Sequence, residues 1–159
     1  PENRNKDLLR FCSQNFKDIY LSTGAASIAE VKKSFKLLIK NNVNLMHCVS
    51  AYPCDLDLVN LNRINILRGI TKNVGLSDHS DGILSATLSL PMGVTIIEKH
   101  FTTNNNLPGR DNKFAILPKE MNELSHNIKN FYNMYMSKKK GFLKQEKEIR
   151  KVYTGRWIS

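Results

Sequence analysis

No apolar run in the sequence is long enough to cross a bilayer, and no signal-peptide pattern opens it. The expectation is a soluble, cytoplasmic protein that meets no membrane. Cysteine is scarce: Cys12, Cys48 and Cys54 are odd in number and lack CxxC spacing, which reads as reduced thiols in a cytosolic chain. No GxGxxG follows a strand-like run and no GxxxxGK(S/T) is present, so nucleotide-binding folds lose weight. Acidic residues are the minority, 14 against 24 lysines and arginines, for a net charge of +10. That excess would suit nucleic acid. Much of it, however, lies in Lys138-Lys139-Lys140 and the basic tail to Arg156, and no recognition motif or aromatic–basic interleaving accompanies it. Small phosphate-bearing substrates favour the same positive field. A nucleic-acid partner is not expected.

What is present is a domain's worth of patterned chain. The 159 residues, 41% hydrophobic and 24% charged, suit one soluble domain with a real core. Leu8, Leu9, Phe11 and Cys12 mark a helix over 7–16, and Ile19-Tyr20-Leu21 a strand broken by Ser22-Thr23-Gly24. Ser27 and Glu30 form a capping box, each able to satisfy a free backbone N–H at a helix start. That helix runs to about Lys40 on Val31, Phe35, Leu38 and Ile39. A strand over 44–49, a helix from about Leu61 to Gly69, and a strand over 74–76 follow. Next come a helix from Gly82 to Leu90 and a fourth strand in Thr95-Ile96-Ile97-Glu98-Lys99-His100. A polar loop then leads to a final helix opened by Pro118. Strand and helix alternate four times, the rhythm of a parallel α/β sheet. Four such units make half of an eight-stranded (βα) barrel or a small open sheet. The opening Pro1-Glu2-Asn3-Arg4-Asn5 does not look like a natural start, and the expectation is a fragment.

Strand parity sorts the polar residues. Side chains alternate faces along a strand, so Tyr20 and Ser22 share one, as do Met46, Cys48, Ser50 and Tyr52. Ser77 shares a face with His79, and Glu98 with His100. His47 falls on the opposite face from Cys48, as a structural histidine against the helices, and Lys99 opposite Glu98, where it serves packing. Parallel folds carry their chemistry at the C-terminal strand ends, where these groups accumulate. Two imidazoles from neighbouring strands ~4.8 Å apart, completed by water or substrate oxygens, suit a divalent transition metal with open positions.

These stretches carry a resemblance. Leu21-Ser22-Thr23-Gly24, His47 to Pro53, Gly75-Leu76-Ser77-Asp78-His79, Ile97 to Thr102 and Leu107 to Lys113, in this order, resemble the sialic acid synthase (N-acetylneuraminate synthase) family. Glu2 to Asn5 resembles the end of a further family stretch. The resemblance implies a TIM (β/α)8 barrel, of which residues 1–137 are the second half, with 138–159 a basic linker toward an absent domain. It implies condensation of phosphoenolpyruvate with an N-acylated amino-sugar aldehyde such as N-acetylmannosamine, with release of phosphate. It also implies a divalent cation, Mn2+ first and Mg2+ or Co2+ as alternatives, and a homodimer in the full-length protein. Carried over by position, His79 and His100 are metal ligands, and Glu98 and His100 are catalytic. Ser22, Ser50 and Ser77 lie near phosphoenolpyruvate, and Glu2, Tyr52 and Asp111 near the sugar. Arg110 and Asn112 depart from the family's usual Pro and His, which favours a legionaminic- or pseudaminic-type substrate. The alternative is a non-catalytic relative of the same ancestry, or an interaction module, since the lysines for phosphoenolpyruvate belong to strands this chain lacks.

Overall fold

A computed structural model describes residues 2–136 and 141–155. The sheet is built of four parallel strands in sequence order: β1 (Asp18–Ser22), β2 (Asn42–Cys48), β3 (Val74–Asp78) and β4 (Ile96–Lys99). They curl into half of a barrel. The helices are α1 (Lys6–Asn15), α2 (Ile28–Leu37), α3 (Arg63–Arg68), α4 (Leu84–Ser89), α5 (Pro118–Tyr135) and α6 (Glu146–Tyr153). The alternation expected from the pattern is the alternation observed. Boundaries move by a few residues: α2 stops at Leu37, and β3 runs on to Asp78.

β1, β2 and β3 bury their helix-facing sides, while β4 is only partly buried along its length. In β1, Ile19 and Leu21 are buried while Tyr20 and Ser22 are exposed on the concave face. β2 is buried along nearly its whole length, as expected of a central strand. The capping box at α2 forms as its sequence requires: Ser27 Oγ accepts from Glu30 N, and Glu30 Oε2 accepts from Ser27 N at 2.8 Å. Gly75 sits where β2, β3 and β4 press together; a Cβ there would lie 2.5 Å from Met46 Sδ and 2.9 Å from the Ile96 carbonyl. Ala86, Ile116 and Leu124 form one core cluster, with Ile83, Ile97, Met121 and Ile128 against it.

The chain divides into two compact units, 1–128 and 129–159. In the second, the stretch expected to be a basic linker contains α6, and Arg150 lies over the Phe142 ring at 5.0 Å. The lysine run 138–140 and Arg156 lie outside the described residues. Among the described residues no helix is long and apolar enough to cross a membrane.

Candidate functional site

The register of β3 and β4 pairs Ser77 with Glu98 and Asp78 with Lys99. Two adjacent rungs therefore carry two different chemistries, one per face.

On the concave face, Ser77 Oγ donates to Glu98 Oε2 and lies 3.3 Å from His79 Nε2. The other nitrogen of His79, Nδ1, donates to the Val49 carbonyl at 2.9 Å. A carbonyl only accepts, so Nδ1 carries a proton and Nε2 is the nitrogen that faces the site, an acceptor in the neutral ring and a donor in the protonated one. His100 stands beside it, ring centroids 5.3 Å apart and nearly perpendicular. Its Nδ1 lies 3.6 Å from Asp111 Oδ2. The backbone of His100 is held by the returning loop, because Ile116 N donates to the His100 carbonyl at 2.9 Å.

Opposite faces of the same strands lock the rungs. Lys99 Nζ is 2.8 Å from Asp78 Oδ2, and their side chains are 2% and 1% exposed. Lys99 Nζ also donates to the Ser80 carbonyl, while Ser80 N and Oγ donate to Asp78 Oδ1. Burial pushes the Asp78 carboxyl up, but the ammonium of Lys99 and the donors of Ser80 and Ser85 outweigh it and hold it below the ordinary aspartate range. Lys99 thus occupies the structural face that parity gave it.

β2 supplies the flank. Cys48 Sγ is 3.9 Å from Ser50 Oγ, and Tyr52 lays its ring 4.3 Å from that of His79. Burial raises the Cys48 thiol, but hydrogen bonds from His79, Ser22 and Ser50 bring it below its ordinary value. Burial lowers His79 in turn; the hydrogen bonds to Cys48 and the Val49 carbonyl, and the charges of Cys48 and Glu98, reverse this and leave it raised. Tyr52 is raised, chiefly by desolvation and the negative charges of Cys48, Glu98 and Asp111. Gly24 is required beside them, because a Cβ there would stand 2.5 Å from Ser50 Oγ and 2.6 Å from Cys48 Sγ. His47 is fully buried, its Nε2 donating to the Val59 carbonyl at 2.8 Å, and burial lowers its pKa. It is the structural histidine that parity indicates.

Two cavities adjoin the cluster. One, about 570 Å³ on the concave face, is lined by Tyr20, Ser22, Met46, Ser77 and Glu98 among others. The other, about 480 Å³, lies between the loops after β1 and β2 and is lined by Thr23, Ser50 and Arg63 among others. Ser22 and Ser77 thus line the first and Ser50 the second. Glu2 is bonded elsewhere, its carboxylate accepting from Asn5 Nδ2 at 2.7 Å.

Four contributors escaped the sequence reading. Asn3 is buried and donates to the carbonyls of Ser22 and Gly24, tying the start of the chain to the β1 exit. Arg63 Nη2 donates to the Thr23 and Ala26 carbonyls. Asp78 becomes visible only with the β3–β4 register. Phe114, whose ring is 5.3 Å from that of His100, opens the short apolar run Phe114-Ala115-Ile116-Leu117, which nothing in the sequence divides between core and site.

The donor set suits a divalent ion: two imidazoles converge, and the Val49 carbonyl holds the proton of His79 away from Nε2, the usual support for a ligating histidine. Among the described residues no group of three or more His, Cys, Asp or Glu gathers for a metal. Further positions would fall to water or substrate oxygens.

Comparison with known proteins places this geometry. Residues 1–140 match the NeuB family. The chain is 37% identical to N,N'-diacetyllegionaminic acid synthase of Campylobacter jejuni, over 71% of this chain and 36% of that protein. It is 36% identical to the uncharacterised protein MJ1065 of Methanocaldococcus jannaschii, over 89% of this chain and 43% of that protein. The crystal structure of N-acetylneuraminic acid (sialic acid) synthetase from Leptospira borgpetersenii, in complex with citrate, superposes with a TM-score of 0.85 at 29% identity. That match covers 98% of this chain and 55% of the other. The chain thus spans about two-fifths of the length of these curated relatives.

Proposed function

The chain belongs to the NeuB family, and from that membership and the strand-end cluster we propose that it forms part of a nonulosonic acid synthase. The enzyme condenses phosphoenolpyruvate with an N-acylated amino-sugar aldehyde such as N-acetylmannosamine and releases phosphate. The observation that carries this reading is the rung pair itself, with Ser77 and His79 meeting Glu98 and His100 on one face.

In the reaction, the methylene carbon of phosphoenolpyruvate bonds to the aldehyde carbon, water adds at the carbon bearing phosphate, and phosphate departs. Ser22 and Ser50 offer hydroxyl donors to phosphate or carboxylate oxygens, while Ser77, beside them, gives its one hydroxyl proton to Glu98. Glu98, oriented by Ser77, takes the proton released by the adding water. Tyr52 and Asp111 border His79 and His100 where the sugar would lie. Mn2+, with Mg2+ or Co2+ as substitutes, would be held by His79 and His100 and would supply Lewis-acid polarisation of the aldehyde oxygen. We place the protein in the cytoplasm, as a homodimer in its full-length form.

The test is phosphate release from phosphoenolpyruvate by the full-length protein that carries both halves of the barrel, since this chain alone is expected to be inactive, with a panel of N-acylated amino sugars across a manganese titration. Release that depends on both sugar and manganese supports the synthase. Its absence with every sugar leaves a non-catalytic relative of the family.

A further inference from the structure

Two side chains, one from before it in sequence and one from after, grip the loop that leaves β1. Asn3 Nδ2 donates to the Ser22 carbonyl at 3.0 Å and to the Gly24 carbonyl at 2.9 Å. Arg63 Nη2 donates to the Thr23 carbonyl at 3.2 Å and to the Ala26 carbonyl at 2.6 Å. From Ser22 to Ala26 the chain carries five carbonyls, and these two side chains hold four of them. Asn3 Oδ1 and Arg63 Nε are buried with no partner among the described residues, so the bonds these groups make all go to this loop. Both are firmly based. Asn3 is 8% exposed, and Arg63 opens α3, where Ile64 and Leu67 are fully buried. The loop itself is constrained: Ala25 has φ 51°, in the left-handed region that an L-residue seldom occupies. It also carries part of the site. Ser22 lines the concave cavity with Ser77 and Glu98, and Gly24 is pressed on Ser50 and Cys48.

We propose that Arg63 is a positioning residue for phosphoenolpyruvate: working with Asn3 through the carbonyls of the β1 exit loop, it fixes the Ser22 hydroxyl in the concave cavity. This rests on the synthase reading. Arg63 touches no reacting atom in this role and acts only through the loop. A guanidinium suits the task, because charged donors make stronger bonds than neutral ones and its planar fork is rigid. A hydroxyl's bond to an anionic oxygen weakens steeply with distance and angle, so a loosened loop costs binding of phosphoenolpyruvate. Losing one hydrogen bond to a charged group corresponds to about tenfold or more in affinity.

The experiment is a double-mutant cycle between Arg63 and Ser22 in the full-length protein that carries both halves of the barrel. It reads kcat and the KM for phosphoenolpyruvate by phosphate release, and manganese binding by water-proton relaxation. Ser22→Ala should raise the KM for phosphoenolpyruvate by about tenfold in the parent. Arg63→Met keeps the reach of the side chain but removes its donors. It should raise the same KM by a similar factor, with kcat and manganese binding within about twofold. In the Arg63→Met background, Ser22→Ala should add about twofold or less, because the hydroxyl is already out of place. Arg63→Lys, which still offers charged donors to the two carbonyls, should recover most of the loss. If Arg63→Met does not fold, Arg63→Gln, with one neutral amide in place of the guanidinium, carries the same cycle. An equal effect of Ser22→Ala in the parent and the Arg63 variant, or an unchanged KM in the folded Arg63 variant, overturns the assignment. A parent that releases no phosphate with any amino sugar overturns the synthase reading, and this inference with it.

Discussion

Glu98 and His100 share one face of β4, and their removal should fail in different ways. His100→Ala should weaken manganese binding, with turnover partly restored by added manganese. Glu98→Ala should keep the metal and lose ~10²–10⁴-fold in turnover, the usual contribution of a positioned acid or base. Equal, metal-independent losses of phosphate release in the two variants would refute this division of roles. Lys99, between them, faces the other way, and its loss should be read in stability. Lys99→Met strands the Asp78 carboxylate in the interior, which typically costs about 3–5 kcal/mol. The pair Lys99→Met/Asp78→Asn removes both charges and should recover much of that loss in a urea titration. Parity alone placed Lys99 correctly because alternation along a strand is a local rule. Asp78 could not be named as its partner, since which rung faces which depends on how two strands align at a sequence separation of 21 residues. Asn112 shows the same limit. It stands where the resemblance has His, yet its amide turns into its own loop and donates to the Leu107 and Pro108 carbonyls.

At the level of the element, the start of α2 gives a pH signature. Hydrogen bonds from Ser27 N and Oγ, with Arg4 beside them, lower the Glu30 carboxyl from 4.5 to about 2. A carboxylate with a depressed folded-state pKa contributes stability above its unfolded value and loses it as pH falls through the folded one. The contribution of Glu30 should therefore be complete above pH 4.5 and fade toward pH 2. Glu30→Gln should flatten that part of the stability–pH curve, as followed by thermal unfolding; an unchanged slope would mean that the capping box adds nothing through charge. This cap was legible because its two residues are three apart and their bonds are local. α6 was not. Its apolar residues Ile149, Val152 and Tyr153 are exposed, so only spacing marks them within a basic stretch.

For the whole molecule, the strand order leaves β1 and β4 at the sheet edges. Their concave side exposes Tyr20 at 61%, and a free strand edge offers unpaired N–H and C=O groups to any neighbour. The isolated chain should self-associate with rising concentration in analytical ultracentrifugation, and a monomer with a single cooperative unfolding transition would contradict this. The parallel sheet was readable from strand–helix alternation, because crossover helices are what parallel pairing demands, whereas half-barrel rather than small open sheet came from the family resemblance. The strand order has a consequence in time. Among the described residues each strand pairs only with the strand before or after it in sequence, and β1 and β2 meet at a separation of 24 residues. No strand pairing among the described residues waits for a distant part of the chain. Each βα unit can dock on its predecessor as soon as it leaves the ribosome, so the sheet can grow one strand at a time at the pace of translation.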